Sequence, residues 1–391
     1  MREAISLRQL LTLMAAALTA AALRLLPGAS ATAAGGEGGW LAPLAVLPGA
    51  FLLGAMLWDL LDRAPEGFGL GEVYRSILGK RLGLAVLLLY LVWMVLILTM
   101  GIVQCGERLS ALGYEGGGKL LFLGAALLLT GRAAMGKLTA FARAVEICFL
   151  LLGCALGAVL LLAAFQVKPG NLLPLRGDVL RSAWPVLETV CAAVPGFFLL
   201  GKVPKEERVR GRQRTMLWLL AGAGVLLMVH IVCFGSYGWE TVKDQRVPFY
   251  EAAKQAGLPG AFQRAEAAAA AVLFLSDGAL FGSTLYIVKE IGRSMGAGKG
   301  NEKRLVSICG VLGALLSFLA GREPKLGEVI GQEILPWMSA GLGILVPAVV
   351  WVLRKGRRRE GLSCGREKGK TEDVVDGKET EKRSEKNEKR C

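Results

Sequence analysis

Carboxylates within apolar stretches are the groups of this chain best placed to do chemistry. Glu188 stands in Ser182–Leu200, a segment otherwise apolar enough to cross a bilayer, between Trp184-Pro185 and Pro195-Gly196. A carboxylate in lipid is costly and normally faces a protein interior or a watery cavity. Proline removes a backbone donor and clashes one turn back. The combination predicts a broken membrane helix, the device with which transporter folds build substrate sites. Pro185 falls near the predicted helix start, where proline is tolerated, so Pro195-Gly196 is the predicted break. Glu188 could bind a ligand ammonium, carry a proton or pair with another helix. Its depth of about 9 Å past Ser182, at 1.5 Å rise per residue, also allows an interfacial position. Thr189, Pro195 and Gly196 complete the ligand-facing set expected on this segment.

A second set lies elsewhere. Ser276-Asp277 falls about halfway along an apolar span and is followed by glycine. A mid-membrane aspartate is a functional candidate by default, although pairing with another helix would be purely structural. Gln104 is a buried-looking amide on a third span. In the first span, Leu18-Thr19-Ala20-Ala21-Ala22 is a small-residue stretch that lets another helix approach, and Thr19, Ala20 and Ala22 are its expected ligand-facing members. Arg24 is expected to snorkel to the interface, with a ligand-carboxylate contact as the alternative. His230, the only histidine, reads as a packing residue rather than a proton relay. Glu107 beside Arg108 reads as an outer-surface group, and Glu146 as the partner of Arg143 three residues away on one helix face. No Walker loop, metal-ligand spacing or catalytic triad is marked, so no enzyme and no cofactor are expected.

The elements that must position these residues are membrane helices. The chain has 391 residues, is 53% hydrophobic and carries a net charge of +14, with mean hydropathy +0.49. Apolar runs recur from the start to Leu353, which predicts one polytopic bundle at residues 1–353. The expected spans are Leu7–Leu26, Trp40–Leu61, Leu82–Leu109, Leu120–Leu129, Leu138–Phe165, Ser182–Leu200, Met216–Phe234, Arg264–Val288, Leu305–Ala320 and Ile334–Leu353. The fourth is short, and the eighth is weakly apolar at its start. Basic residues lie between spans, so membrane orientation explains the charge better than nucleic acid, which is not an expected partner. Arg and Lys concentrate in the second-to-third, sixth-to-seventh and eighth-to-ninth loops, which places both termini in the cytoplasm. Cysteines such as Cys148, Cys191 and Cys233 lie within apolar spans and act as small hydrophobes. Residues 354–391 mix Lys, Arg, Glu and Gly with few apolar groups and read as a disordered cytoplasmic tail. Its first basic residues form a stop-transfer anchor or an anionic-lipid contact.

Several short motifs in order resemble one family. Ile5-Ser6-Leu7-Arg8-Gln9-Leu10 opens the chain, followed by Leu26-Pro27 and Gly39-Trp40-Leu41. Ile77-Leu78-Gly79-Lys80-Arg81-Leu82-Gly83, Asn171-Leu172-Leu173-Pro174 and Pro248-Phe249-Tyr250-Glu251 follow, then Phe262-Gln263-Arg264. From about Ile5 to Leu353 the chain resembles the endospore germination permease family, the B subunit of nutrient germinant receptors, within the amino acid–polyamine–cation transporter superfamily. The resemblance implies an all-α bundle of about ten helices in a five-plus-five inverted-repeat, LeuT-like arrangement, with helices one and six interrupted. It also implies sensing of a small nutrient, often an amino acid, in the spore inner membrane. The implied partners are an A-type membrane subunit and a C-type lipoprotein subunit. Thr19 to Ala22 stand where the family has a glycine-containing break, and Phe274-Leu275-Ser276-Asp277-Gly278 where it has an aromatic-rich helix. The expected function is therefore a ligand-sensing receptor subunit. The alternatives are an amino acid transporter proton-coupled through Glu188 or Asp277, and a ligand-free assembly subunit.

Overall fold

The computed structural model describes residues 4–62, 64–111, 117–245, 247–255 and 265–356, with backbone alone at 111, 117–119, 265–272 and 299. Most of the expected tail and the Phe262-Gln263-Arg264 motif lie outside these residues. Among the described residues all regular structure is helical. In a bilayer, which has no water to satisfy a free backbone, that is the requirement.

Ten helices make the bundle: α1 Leu7–Ala34, α2 Glu37–Asp62, α3 Leu70–Ala111, α4 Gly117–Met135, α5 Leu138–Ala164, α6 Val179–Lys202, α7 Gly211–Tyr237, α8 Ala265–Ser294, α9 Lys299–Arg322 and α10 Pro324–Gly356. Among the described residues, eight are long and apolar enough to cross a membrane. The other two are those the sequence marks as weak. The apolar part of α4 is only Leu120–Met135, and α8 carries Asp277, Lys289, Glu290 and Arg293. α10 runs to Gly356, so Arg354 and Lys355 belong to the helix.

Local chemistry sets the helix ends. Ser6 and Gln9 form a reciprocal capping box at the start of α1, which satisfies two orphan donors. α1 continues through Pro27 to a left-handed Gly35, φ 62°, where the sequence reading ends it at Leu26. Proline removes one intrahelical bond, and packed neighbours make that tolerable inside a membrane helix. α3 includes a first segment joined to the rest at Gly79, φ 84°, a conformation glycine adopts without penalty. α6 begins at Val179 because the Asp178 side chain accepts from the Arg181 amide at 3.0 Å. Pro185 therefore lies in the second helical turn, not at the start as the sequence reading has it.

α1, α3 and α8 form the centre. α1 packs on α6 and α8, and α8 also on α3, α5 and α9. α5, α7 and α9 turn large apolar side chains outward, among them Leu150, Leu161, Leu217, Ile308 and Phe318, as a lipid-facing surface requires. A buried group of Tyr74, Tyr90, Trp93 and Phe198 ties α3 to the second half of α6. Tyr90 donates to the Leu342 carbonyl at 2.5 Å. Leu342 lies in one of two π-helical segments of α10, Ser339–Leu345.

Candidate functional site

The sixth helix is broken where Pro195 requires it. Regular α-helix ends at Cys191, and a 3-10 segment runs from Val194 to Lys202. Cys191 is four residues before Pro195, so its carbonyl is the one that proline's ring and missing N–H leave unserved. Gly196 then faces α1 closely: a Cβ there would lie 2.7 Å from the Met14 side chain. The break therefore meets the first half of α1.

The first helix is not unwound, which corrects the expected interruption. A side chain enters it instead. The Ala20 amide donates to Ser276 Oγ at 2.7 Å, and Ser276 Oγ donates to the Ala16 carbonyl at 2.5 Å. Ala20 and Ala16 would ordinarily bond each other. The hydroxyl of α8 is thus spliced into one turn of α1, a recognised cause of local helix opening. Ala16, Ala17 and Ala20 are all buried, and their small side chains let the α8 backbone come that close.

Between these features lies a cavity. It is lined by Leu13, Met14 and Ala17 of α1, Met94 and Ile97 of α3, Ala192, Ala193 and Gly196 at the break, and Leu280, Ser283, Thr284 and Ile287 of α8. Its volume, ≈ 40 Å³, is well below the roughly 300 Å³ of ordinary ligand pockets, so it would have to widen to take a nutrient-sized molecule. The lining is apolar except for the two hydroxyl residues, and Ser283 donates to its own Leu280 carbonyl at 3.1 Å.

Two ion pairs cross the bundle beyond the cavity, towards the C-terminal half of α1. Arg24 pairs with Glu107 and Arg108 with Asp277. Asp277 is 2% exposed and Arg108 7%. Arg24 is also buried, so the expected snorkelling does not occur.

A sequence-family profile described as "Spore germination protein" matches residues 4–322. This chain belongs to the spore germination permease family. Two solved structures share the permease's fold. One is a Na+-coupled sialic acid symporter in a substrate-bound outward-open state, 12% identical over 89% of this chain and 78% of that one, TM-score 0.55. The other is MhsT in complex with L-phenylalanine, 15% identical over 90% of this chain and 99% of that one, TM-score 0.58. At this identity the likeness shows a LeuT-like helical bundle and nothing finer. No match emerges among curated proteins.

The permease brings together only part of the expected ligand-facing set. Gly196 lines the cavity and Pro195 is buried beside it. Ser276 and Ala20 join α8 to α1 at its edge. Asp277 is held by Arg108. Thr19 donates to its own Ala15 carbonyl at 2.8 Å and Thr189 to Pro185 at 3.2 Å. Ala22 packs on Val186 of α6 and Ala42 and Val46 of α2. Glu188 and Gln104 are half-buried. Thr19, Ala22, Gln104, Glu188 and Thr189 do not line the cavity. Glu146 pairs with Arg8 at 2.5 Å, an α1 residue, rather than with Arg143. His230 bonds the Leu226 carbonyl at 2.8 Å and Ser30 Oγ at 3.3 Å, as a packing histidine does. The sequence reading missed Ser283 and Thr284. Their signal was present, since Ser283 follows Ser276 by seven residues and so returns to the same helix face.

Proposed function

We propose that the permease is the nutrient-sensing subunit of a germinant receptor. The cavity takes a small nutrient, and its filling biases the bundle between two states that partner subunits read. Those partners are an A-type membrane subunit and a C-type lipoprotein in the spore inner membrane, with both termini of this chain cytoplasmic. The observation that carries the reading is the small cavity where the α6 break meets α1, α3 and α8, in a chain of this family. A ligand shifts such an equilibrium only by its differential affinity for the two states. A cavity that must expand to admit a ligand provides that difference. Neither carboxylate considered for proton coupling suits a free proton carrier, since Asp277 is paired with Arg108 and Glu188 is outside the cavity.

The test fills the cavity. Ala17→Phe and Gly196→Leu should leave the protein in spore membranes at normal level and raise the nutrient concentration for half-maximal germination by at least tenfold. Unchanged dose–response curves across amino acids, sugars and nucleosides would overturn the proposal. Uptake of labelled amino acids into proteoliposomes of the purified chain would instead favour transport.

A further inference from the structure

Arg24, Glu107, Arg108 and Asp277 form a formally neutral cluster where α1, α3 and α8 meet. Asp277 is 2%, Arg108 7% and Arg24 8% exposed. Charges so buried are costly unless their polar atoms are satisfied. The two ion pairs use only part of that capacity. Arg24 Nε and Nη1, Arg108 Nη1 and Asp277 Oδ2 are buried and have no hydrogen-bond partner. The Cys105 thiol flanks Asp277, but a thiol is a weak donor. Arg24 lies within electrostatic reach of both Arg108 and Asp277, so the idle atoms belong to one locus.

The chemistry of that locus is specific. Idle guanidinium N–H groups beside an idle carboxylate oxygen complement a carboxylate and an ammonium on one molecule. Guanidinium is the side chain best shaped for carboxylate. A zwitterion adds no net charge to a neutral cluster. Helical register also sets the cluster above the cavity. Ala17 to Arg24 and Asp277 to Thr284 are each seven residues, and Ile97 to Arg108 is eleven, spacings that return to one helix face. Seven residues rise about 10 Å, so a head group at the cluster can send its side chain towards the cavity. Half-helix termini hold substrate carboxylates in many transporters. α1 offers no such terminus, because Ser276 occupies the Ala16 carbonyl and Ala20 amide.

We propose that Arg24, Arg108 and Asp277 bind the head group of a free α-amino acid. The two guanidiniums take its carboxylate, and Asp277 takes its ammonium. Glu107, whose side chain is 45% exposed, orients Arg24 from the rim. The inference rests on the nutrient-binding reading and names the nutrient's class.

The test uses the purified full-length chain in lipid nanodiscs, with thermal unfolding read against each standard amino acid, glucose and inosine. At least one amino acid should raise Tm, and its N-acetyl and amide derivatives should bind at least tenfold more weakly. The double variant Arg108→Met/Asp277→Val exchanges the ion pair for apolar groups closer to it in size, a change often neutral for folding. It should lose at least tenfold in affinity for that amino acid. Derivatives that bind as well as the parent, or a folded double variant binding within twofold, would overturn the proposal. Should the variant not fold, the derivative series on the native chain decides. Response to glucose or inosine alone would sink this inference and leave the nutrient-binding reading intact. Response to no probe would sink both.

Discussion

Ser276 makes two hydrogen bonds that α1 could otherwise make for itself, which gives its substitutions an unusual ranking. With Ser276→Ala, the Ala16 carbonyl and Ala20 amide can close onto each other, and the loss should stay near 1 kcal/mol, the net worth of an ordinary hydrogen bond. With Ser276→Val, a larger side chain without a hydroxyl still holds the turn open but bonds neither atom. Two buried backbone groups are then unpaired, at about 1–3 kcal/mol each. Thermal unfolding of the purified chain should therefore rank wild type, then Ala, then Val clearly last. Equal Tm values for the Ala and Val variants would mean that the hydroxyl does not hold the turn open. At this scale the sequence was half legible. Asp277 stood out because a mid-span carboxylate is costly. Its partner did not, because Arg108 lies beside Glu107 in the sequence, and a linear reading does not show that adjacent residues point to different helices. Arg24 was misjudged for the same reason: snorkelling is a property of one helix alone, and its fate here is set by Glu107 on another.

At the scale of the element, the α6 break was predictable and the continuity of α1 was not. Pro195 acts through a local rule, the loss of one N–H and a clash at Cys191, so position alone locates the end of regular helix. Pro27 obeys the same rule yet α1 runs on to Ala34, because packing against α6 and α8 outweighs one missing bond. Pro195→Leu should restore the donor and let α-helix extend past Cys191. Amide exchange of residues 192–196 should then slow, and the nutrient response should fall while the protein still reaches the membrane. Unchanged exchange in that segment would show that the break is imposed by the surrounding helices rather than by proline. Ser283 and Thr284 belong to the same lesson. Their register with Ser276 was readable, but no single sequence shows which face of α8 lines a cavity.

At the scale of the molecule, the polytopic helical bundle followed from hydropathy, with eight of the helices among the described residues long and apolar enough to cross a membrane, whereas the way α8 links the two ends of the bundle emerges only from packing. Near its middle α8 is held by Arg108 through Asp277. At its other end Glu290 accepts from Lys202 at 3.0 Å and from Arg293 at 3.0 Å, and Arg293 also reaches Glu302 at 2.9 Å. Ser294 donates to Glu72 at 2.7 Å, closing α8 onto the start of α3. Asp277 and Glu290 are separated by thirteen residues, about 20 Å of one helix, so a shift of α8 bears on both closures. Glu290→Gln keeps the shape but removes the charge that Lys202 and Arg293 share. The closure at the Glu290 end should loosen. A cysteine placed at Met14, on the cavity wall, should then react about tenfold faster with a membrane-impermeant maleimide added to the membrane face that carries Glu290, with vesicles of either orientation compared by mass spectrometry at that residue. A tenfold change corresponds to about 1.4 kcal/mol in the opening equilibrium, less than the cost of stripping a buried ion pair of one partner, because glutamine still hydrogen-bonds. An unchanged labelling rate in a variant of normal Tm would show that this network fixes the helix ends without gating the cavity.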